Sequence, residues 1–217
     1  MIDLFFVGDG PRDGASLPPL VSRIVGREVA GPFKPWKEFR LNPTRANFGR
    51  PNSGDSGYDR KLLFAIAQAR LENRQGLIAV VDRDKFPPGS RLAELERARK
   101  QHRERPASCL PIALGEAVPH VDVWLLDDPQ AVRTALFLKD NHQIPSIKRV
   151  KDPKEQLDQL IDSSRFVGVE RIEPLAELAR NLDPTRCLCR QETGFTAFID
   201  EVNAEFRDLL KATGHNL

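Results

Sequence analysis

The most informative stretch of the chain is Leu77-Ile78-Ala79-Val80-Val81-Asp82-Arg83-Asp84. It opens with five consecutive apolar residues, preceded by Gly76. A short apolar run bounded by a turn residue predicts a strand that is buried on both faces. Strands of this kind belong to parallel sheets that helices cover on both sides. The run ends directly at two acids separated by one residue.

A second apolar run, residues 4–8, has the same form and also ends at an acid, Asp9. Segments with apolar residues at helical spacing lie between and after the two runs. The alternation predicts an α/β fold with a Rossmann-like core, in which a mostly parallel sheet is flanked by helices. The other predicted elements of this core are a helix capped by Ser16 and stopped by Gly26, helices over 58–73 and 92–105, and strands over 37–41 and 108–114.

The rest of the chain has a helical pattern, with Pro or Gly near several expected helix starts. The sequence therefore predicts a core over residues 1–138 and a helical C-terminal extension over residues 139–217 that packs on it. The expected helical segments are 121–127, 129–138, 153–161, 172–181 and 196–210.

Composition limits the function classes. The 217 residues carry a net charge of +2, so any grip on nucleic acid must come from a local basic patch rather than from overall charge. No run of about 18 apolar residues is present, and no membrane span is expected. The three cysteines cannot all pair with one another. Free thiols in a reducing compartment are the simplest account, and a cytoplasmic location is expected.

Acidic side chains follow both apolar runs directly. In an open parallel sheet the carboxyl ends of the strands meet at one edge, where ligands bind. Alternate residues of an extended segment point the same way, so Asp82 and Asp84 can face one side and Arg83 the other. Together with Asp9 they predict a divalent-metal site suited to phosphoryl transfer or hydrolysis. The alternative is that these acids only form turns, in which Asp is common.

The opening stretch, residues 5–13, resembles the first motif of Toprim domains: a hydrophobic strand followed by Glu-Gly and, a few residues on, an acid. The order of strands and helices up to the Asp-x-Asp of residues 82–84 also matches. The chain as a whole is similar to the uncharacterised DUF4276 family of bacterial proteins. The matching stretches, which span most of the chain in the expected order, are 80–84, 121–128, 152–155 and 194–198.

The resemblance implies a Toprim-like core of the kind found in topoisomerases, primases and OLD-type nucleases. It implies that Asp9 acts in acid–base chemistry or metal binding, and that Asp82 and Asp84 bind Mg²⁺ or Mn²⁺. Asp9 stands where the family has Glu, which shortens its reach by one methylene. Asp122 likewise stands where the family has Glu, which makes it a candidate fourth metal ligand. The alternative for Asp122 is an acid in the first turn of a helix, stabilised by the helix dipole.

The densest basic patch comprises Lys148, Arg149 and Lys151, with Lys154 close by. It is a candidate contact for nucleic-acid phosphates. The alternative is a solvated loop, because Lys and Arg side chains normally stay exposed.

Two functions fit these observations. The first is a Mg²⁺- or Mn²⁺-dependent nuclease or phosphodiesterase that acts on nucleic acid, with Asp9, Asp82 and Asp84 as metal ligands and Asp9 also as the acid–base group. The second is a non-catalytic subunit that works only in a complex. By resemblance, Toprim domains are often fused to or encoded beside ABC-type ATPases, sometimes in anti-phage systems. An ABC- or AAA-type ATPase is therefore the expected partner, and a homodimer is a further assembly to test.

Overall fold

A computed structural model describes residues 1–39, 57–83, 87–104, 109–166 and 170–212. Its sheet consists of the strands β1 (Ile2–Gly8), β2 (Val29–Ala30), β3 (Phe33–Pro35), β4 (Gly76–Asp82) and β5 (Ile112–Ala117). The order across the sheet is β2, β1, β4, β5, and β3 also pairs with β1. All of these pairings are parallel. The predicted α/β fold with a mostly parallel sheet is therefore confirmed.

Helices follow β1, β3, β4 and β5, and helices joined by loops and a 3₁₀ turn make up the described chain after β5. No helix among the described residues is long and apolar enough to cross a membrane. The helices are α1 (Pro11–Val25), α2 (Tyr58–Leu71), α3 (Ser90–Arg103), α4 (Asp122–Leu126), α5 (Pro129–Ala135), α6 (Pro153–Asp162), α7 (Ile172–Asn181), α8 (Phe195–Glu205) and α9 (Arg207–Ala212).

The two faces of the sheet bury alternate residues of each strand. Along β1, Leu4 and Phe6 enter one hydrophobic cluster, and Phe5 and Val7 enter the other. Helices α2 and α3 cover the second cluster, whereas α1 and the helices after β5 cover the first. Burial on both faces explains why the strands are continuous apolar runs rather than alternating ones.

The helices after β5 share their core with the sheet. The ring of Trp124 in α4 stacks on Phe195 and Phe198 of α8, with centroid distances of 5.2 and 5.1 Å. Helix α7 packs on α1, and α8 packs on β5. Residues from both sides of the predicted boundary at 138 thus belong to one hydrophobic cluster.

Several elements differ from the prediction: β2 and β3 were not predicted, β5 is Ile112–Ala117 where a strand was predicted over 108–114, and two further differences have clear causes. Helix α1 begins at Pro11, not after Ser16, because Pro suits the first helical position and Asp13 accepts hydrogen bonds from the backbone before it. Where a strand was predicted over 37–41, the described residues form a 3₁₀ turn, Trp36–Glu38. The indole nitrogen of Trp36 donates to the carbonyl of Val80 at 2.7 Å, which holds this turn against β4.

Candidate functional site

The carboxyl ends of β1 and β4 bring Asp9 and Asp82 together. The two strands are neighbours in the sheet, and each ends where its acid stands. One carboxylate oxygen of Asp9, Oδ2, accepts a hydrogen bond of 2.7 Å from the backbone nitrogen of Asp82. Asp84, the third predicted ligand, lies outside the described residues.

Tyr58, the first residue of α2, fixes the other oxygen of Asp9. Its hydroxyl donates to Asp9 Oδ1 at 3.2 Å, and its backbone nitrogen donates to Glu94 of α3 at 2.7 Å. Burial raises the pKa of Tyr58 above its ordinary value, and the Asp9 carboxylate raises it further. The phenol therefore stays protonated at neutral pH and acts as a hydrogen-bond donor.

Two cations flank this tyrosine. The guanidinium of Arg91 lies 5.0 Å from the centre of the Tyr58 ring, and the ammonium of Lys61 lies 4.7 Å from it. Arg91 Nη1 donates to the carbonyl of Asp82 at 2.7 Å and lies 3.8 Å from Asp9 Oδ2. Partial burial lowers the pKa of Lys61, and the Asp9 carboxylate opposes that shift. Two positive side chains thus lie beside the acidic edge.

Tyr58, Lys61 and Arg91 were not predicted as part of the site. Tyr58 and Lys61 belong to the first turns of α2, and Arg91 to the first turn of α3. In a parallel α/β sheet, the helix after a strand starts at the edge where that strand ends. The predicted start of each helix could therefore have indicated which segments lie near Asp9. It does not indicate which side chains of those segments turn toward Asp9.

Asp13 is buried beneath the Asp9 loop. Its Oδ2 accepts hydrogen bonds from the backbone nitrogens of Asp9, at 2.6 Å, and Gly10, at 3.1 Å. Burial raises the pKa of Asp13 to about 6, the two backbone hydrogen bonds oppose the rise, and the carboxylates of Asp9 and Asp122 add to it. Asp13 therefore shapes the loop that presents Asp9.

Asp13→Asn is expected to remove a pH dependence of stability. The pKa of Asp13 is about 6 in the folded state, whereas that of an unfolded Asp is about 3.9. Ionisation of Asp13 therefore disfavours the folded state increasingly from about pH 4, and fully above about pH 6. Asn keeps the shape and one acceptor oxygen but does not ionise.

Urea unfolding in EDTA at pH 4 and pH 7 measures this effect. Between these values wild type should lose on the order of 1–3 kcal/mol relative to the variant. A difference between the two proteins that stays constant with pH would mean that Asp13 titrates normally.

Asp122 lies in a separate ion-paired cluster. Its Oδ1 accepts from Arg12 Nε at 2.8 Å and forms an ion pair with Arg12 Nη2, and its Oδ2 lies 3.1 Å from His120 Nδ1. Burial alone would raise the pKa of Asp122, but the hydrogen bonds and charges of His120 and Arg12 lower it below the ordinary value. Because Arg12 already neutralises its charge in a close ion pair, we leave Asp122 out of the metal-ligand set proposed below.

Arg12 also reaches the C-terminal helices. Its Nη1 donates to Asp158 of α6 at 2.8 Å, and Asp158 in turn pairs with Arg171 at 2.6 Å. Arg83, the middle residue of the predicted Asp-x-Asp, pairs with Glu116 of β5 at 2.6 Å. These contacts hold the loops of the carboxyl edge to the surrounding helices and to β5.

The four residues of the predicted basic patch do not all line the same cleft. All four residues, Lys148, Arg149, Lys151 and Lys154, are exposed. Lys148 and Lys151 line a cleft of about 200 Å³ beside the loop that follows β5, whereas Arg149 and Lys154 are not among its lining residues.

The chemistry of the donor set at the acidic edge fits a hard divalent cation. Asp9 and Asp82 offer carboxylate oxygens, and Mg²⁺ is commonly bound by one or two carboxylates together with waters and substrate phosphates. Within the described ranges, no three His, Cys, Asp or Glu side chains are grouped so as to hold a metal ion by themselves. A site built on Asp9 and Asp82 would therefore be open, with room for substrate oxygens.

Comparisons with known proteins add no relative. No protein-family model, no curated protein and no solved structure matches this chain. The resemblance to Toprim domains and to the DUF4276 family accordingly stays a prediction from the motifs quoted above. The function proposed below therefore rests on the geometry around Asp9 and Asp82.

Proposed function

We propose that the chain is a Mg²⁺- or Mn²⁺-dependent phosphodiesterase that acts on nucleic acid. Asp9 and Asp82 are its metal ligands, and Asp84 is the third. The observation that carries the proposal is the meeting of the two strand ends, where the Asp9 carboxylate accepts a hydrogen bond of 2.7 Å from the backbone of Asp82. Two acids from neighbouring parallel strands are thereby held at the edge where such sheets bind ligands.

The surrounding residues supply the features that hydrolysis of a phosphodiester needs. A bound divalent cation would polarise the phosphoryl oxygens and lower the pKa of a water molecule. Tyr58 and the backbone of Asp82 hold the two oxygens of Asp9 in place. We assign Asp9 as the acid–base group, and Arg91 and Lys61 as the cations that bind the substrate phosphate.

Local positive charge supports a nucleic acid as the substrate. The net charge of +2 gives little general attraction for a polyanion. Lys148 and Lys151, which are exposed on the segment that leads into α6, place two cations beside the loop that follows β5. Phosphate contacts of this kind give affinity without sequence preference.

The direct test is a cleavage assay. Purified protein is incubated with single- and double-stranded DNA and RNA in Mg²⁺, in Mn²⁺ and in EDTA. Cleavage in either metal and none in EDTA is the expected result. If no substrate is cleaved and calorimetry detects no metal binding, the proposal is wrong.

The effect of a divalent metal on stability can be measured without knowing the substrate. Mg²⁺ or Mn²⁺ at a hundredfold excess over its dissociation constant should stabilise the folded protein by about 2.7 kcal/mol, because only the folded state assembles the site. The double variant Asp82→Asn and Asp84→Asn should lose this response. It should be as stable as wild type or more so in EDTA, because the charge of Asp82 no longer repels that of the neighbouring Asp9.

Melting curves of both proteins in EDTA and in Mn²⁺ measure the effect. The variant Asp122→Asn is the matched control, since it removes an acid outside the proposed ligand set and should keep the metal response. A double variant that still responds to metal would exclude Asp82 and Asp84 as ligands.

A second function deserves its own test, that of a non-catalytic subunit of an ABC- or AAA-type ATPase complex, as in some bacterial anti-phage systems. Arg91 lies 3.8 Å from Asp9 Oδ2, and a cation at that distance can offset the carboxylate without any metal. Purification of the tagged chain from its native host distinguishes the two functions. Co-purification of an ATPase together with inactivity of the isolated chain would support the subunit role.

A further inference from the structure

A small cleft lies beside the loop that follows β5. One side is formed by Val118 and Pro119, and another by Cys189, Glu192 and Thr193 from the segment before α8. The third side is the segment around the 3₁₀ turn Ile147–Arg149. Its volume of about 200 Å³ is below the roughly 300–1,000 Å³ of clefts that enclose drug-sized ligands. The cleft therefore suits a compact ligand or one part of a larger one.

The charges that line the cleft favour an anion. Lys148 and Lys151 both line it, and Glu192 is the one acid among the lining residues. Burial raises the pKa of the Cys189 thiol, the Asp127 carboxylate raises it further, and the ammonium of Lys148 acts in the opposite direction. Lys148 therefore interacts electrostatically with Cys189, which also lines the cleft.

The part of the cleft lining around Thr193 is held firmly. The carbonyl of Thr193 accepts hydrogen bonds from Trp124 Nε1 at 2.7 Å and from the backbone nitrogen of Val118 at 3.1 Å. Trp124 is itself stacked on two phenylalanines of α8. The hydroxyl of Thr193 is buried and has no hydrogen-bond partner among the described residues. A preformed wall of this kind lowers the entropy cost of binding.

The remaining lining residues are apolar. They include Pro119, Val123, Ile147 and Val150, which offer contact surface but no hydrogen-bonding side chain. Two lysines and several apolar residues in the lining of one cleft match a phosphate that carries an organic group, because the phosphate can pair with the lysines and the attached sugar can pack on the apolar residues. Inorganic phosphate alone would leave that apolar surface unused.

We propose that this cleft binds the phosphate and sugar of a nucleotide, through Lys148 and Lys151. The ligand is either a free mononucleotide or the 5′-phosphorylated end of a strand, which present the same chemistry. The cleft adjoins the acidic edge, since the carbonyl of Pro119 accepts a hydrogen bond of 3.0 Å from the backbone nitrogen of Arg83. Binding at the cleft does not require metal at Asp9 and Asp82, and so it stands apart from the proposed hydrolysis.

The chain offers a charge-matched control. The test variant is Lys148→Ala with Lys151→Ala, and the control is Arg149→Ala with Lys154→Ala, which removes the same charge from the same segment outside the cleft. Binding is measured in EDTA by fluorescence anisotropy with a labelled single-stranded oligonucleotide, carrying either a 5′-phosphate or a 5′-hydroxyl. Calorimetry with AMP and with inorganic phosphate completes the set, and melting curves confirm that both variants fold.

The test variant should bind the preferred probe about tenfold more weakly than wild type, and its salt slope should fall by about 1.4. The control should stay within about threefold of wild type, because its side chains do not line the cleft. A strand end is identified as the ligand if the 5′-phosphate oligonucleotide binds more tightly than both the 5′-hydroxyl oligonucleotide and AMP. A free nucleotide is identified if AMP binds at least as tightly as the 5′-phosphate oligonucleotide.

Three results would overturn the proposal. They are equal losses in the two variants, which indicate general electrostatic attraction, no loss in either variant, and no binding of any probe. Because the measurements are made in EDTA, none of these results bears on metal-dependent cleavage. Conversely, if the protein cleaves no substrate but binds the 5′-phosphate probe through Lys148 and Lys151, the nucleotide-binding cleft is supported and only the proposed hydrolysis is refuted.

Discussion

Asp9→Asn is expected to lower metal-dependent cleavage of nucleic acid by about 10²–10⁴-fold, the range typical for loss of an acid–base group. Asn keeps the size of Asp9 and removes its charge. Its oxygen can still accept from the backbone nitrogen of Asp82, and its amide can face the hydroxyl of Tyr58, which is able to accept as well as donate. The fold should therefore survive while the carboxylate is lost.

The matched control for this variant is Asp3→Asn. Asp3 lies at the opposite end of the same strand, where it pairs with Arg74 at 2.8 Å, and its side chain is 42% exposed. Its loss should leave cleavage within about twofold of wild type, because exposed ion pairs contribute little. Initial rates in Mg²⁺ and Mn²⁺, with calorimetric metal titrations, measure both variants. Wild-type rates in Asp9→Asn would exclude Asp9 from the reaction.

Arg12→Met should lower the free energy of unfolding by about 3–5 kcal/mol, the usual result of removing one partner of a buried ion pair. The side chains of Arg12 and Asp122 are 18% and 8% exposed, so solvent screens their interaction only weakly. Without the guanidinium, the Asp122 carboxylate keeps His120 as its one side-chain partner among the described residues. The link from α1 to Asp158 of α6 is lost at the same time.

Urea unfolding of a double-mutant cycle tests this prediction. Adding Asp122→Asn to Arg12→Met should recover part of the lost stability, because no unpaired buried charge remains. The control is Arg180→Met, which removes a 60% exposed arginine paired with Glu177 and should cost no more than about 1 kcal/mol. Similar losses of stability in Arg12→Met and Arg180→Met would show that the pair of Arg12 and Asp122 contributes no more to stability than an exposed ion pair.

Much of the fold could be predicted because its signals are local. The apolar run at residues 77–81 is buried on both faces of β4, as predicted for a parallel sheet. Gly26 ends α1 in a left-handed conformation, which glycine adopts without steric cost. The start of α1 was missed because its cap is formed by Asp13, an acid inside the helix, rather than by the residue before it.

Only part of the candidate site could be predicted from the sequence. Asp9 and Asp82 could be placed at one edge because each follows a strand, and parallel strands end together. The partners of these acids could not be placed, since Tyr58 and Arg91 come from other elements and turn toward Asp9 only when α2 and α3 pack on the sheet. Sequence spacing carries no information on which side chain of a helix start will face a distant carboxylate.

Sequence alone determined the alternation of strands and helices, the parallel sheet and the strand-end positions of Asp9 and Asp82. These follow from hydrophobic periodicity and chain direction, which each segment carries by itself. Only the tertiary structure decided that Asp122 pairs with Arg12, 110 residues away, and that Lys148 and Lys151 line a cleft while Arg149 and Lys154 do not. Which side chains meet depends on how the segments pack, because a charged group can be exposed, paired or buried without any change in its local sequence pattern.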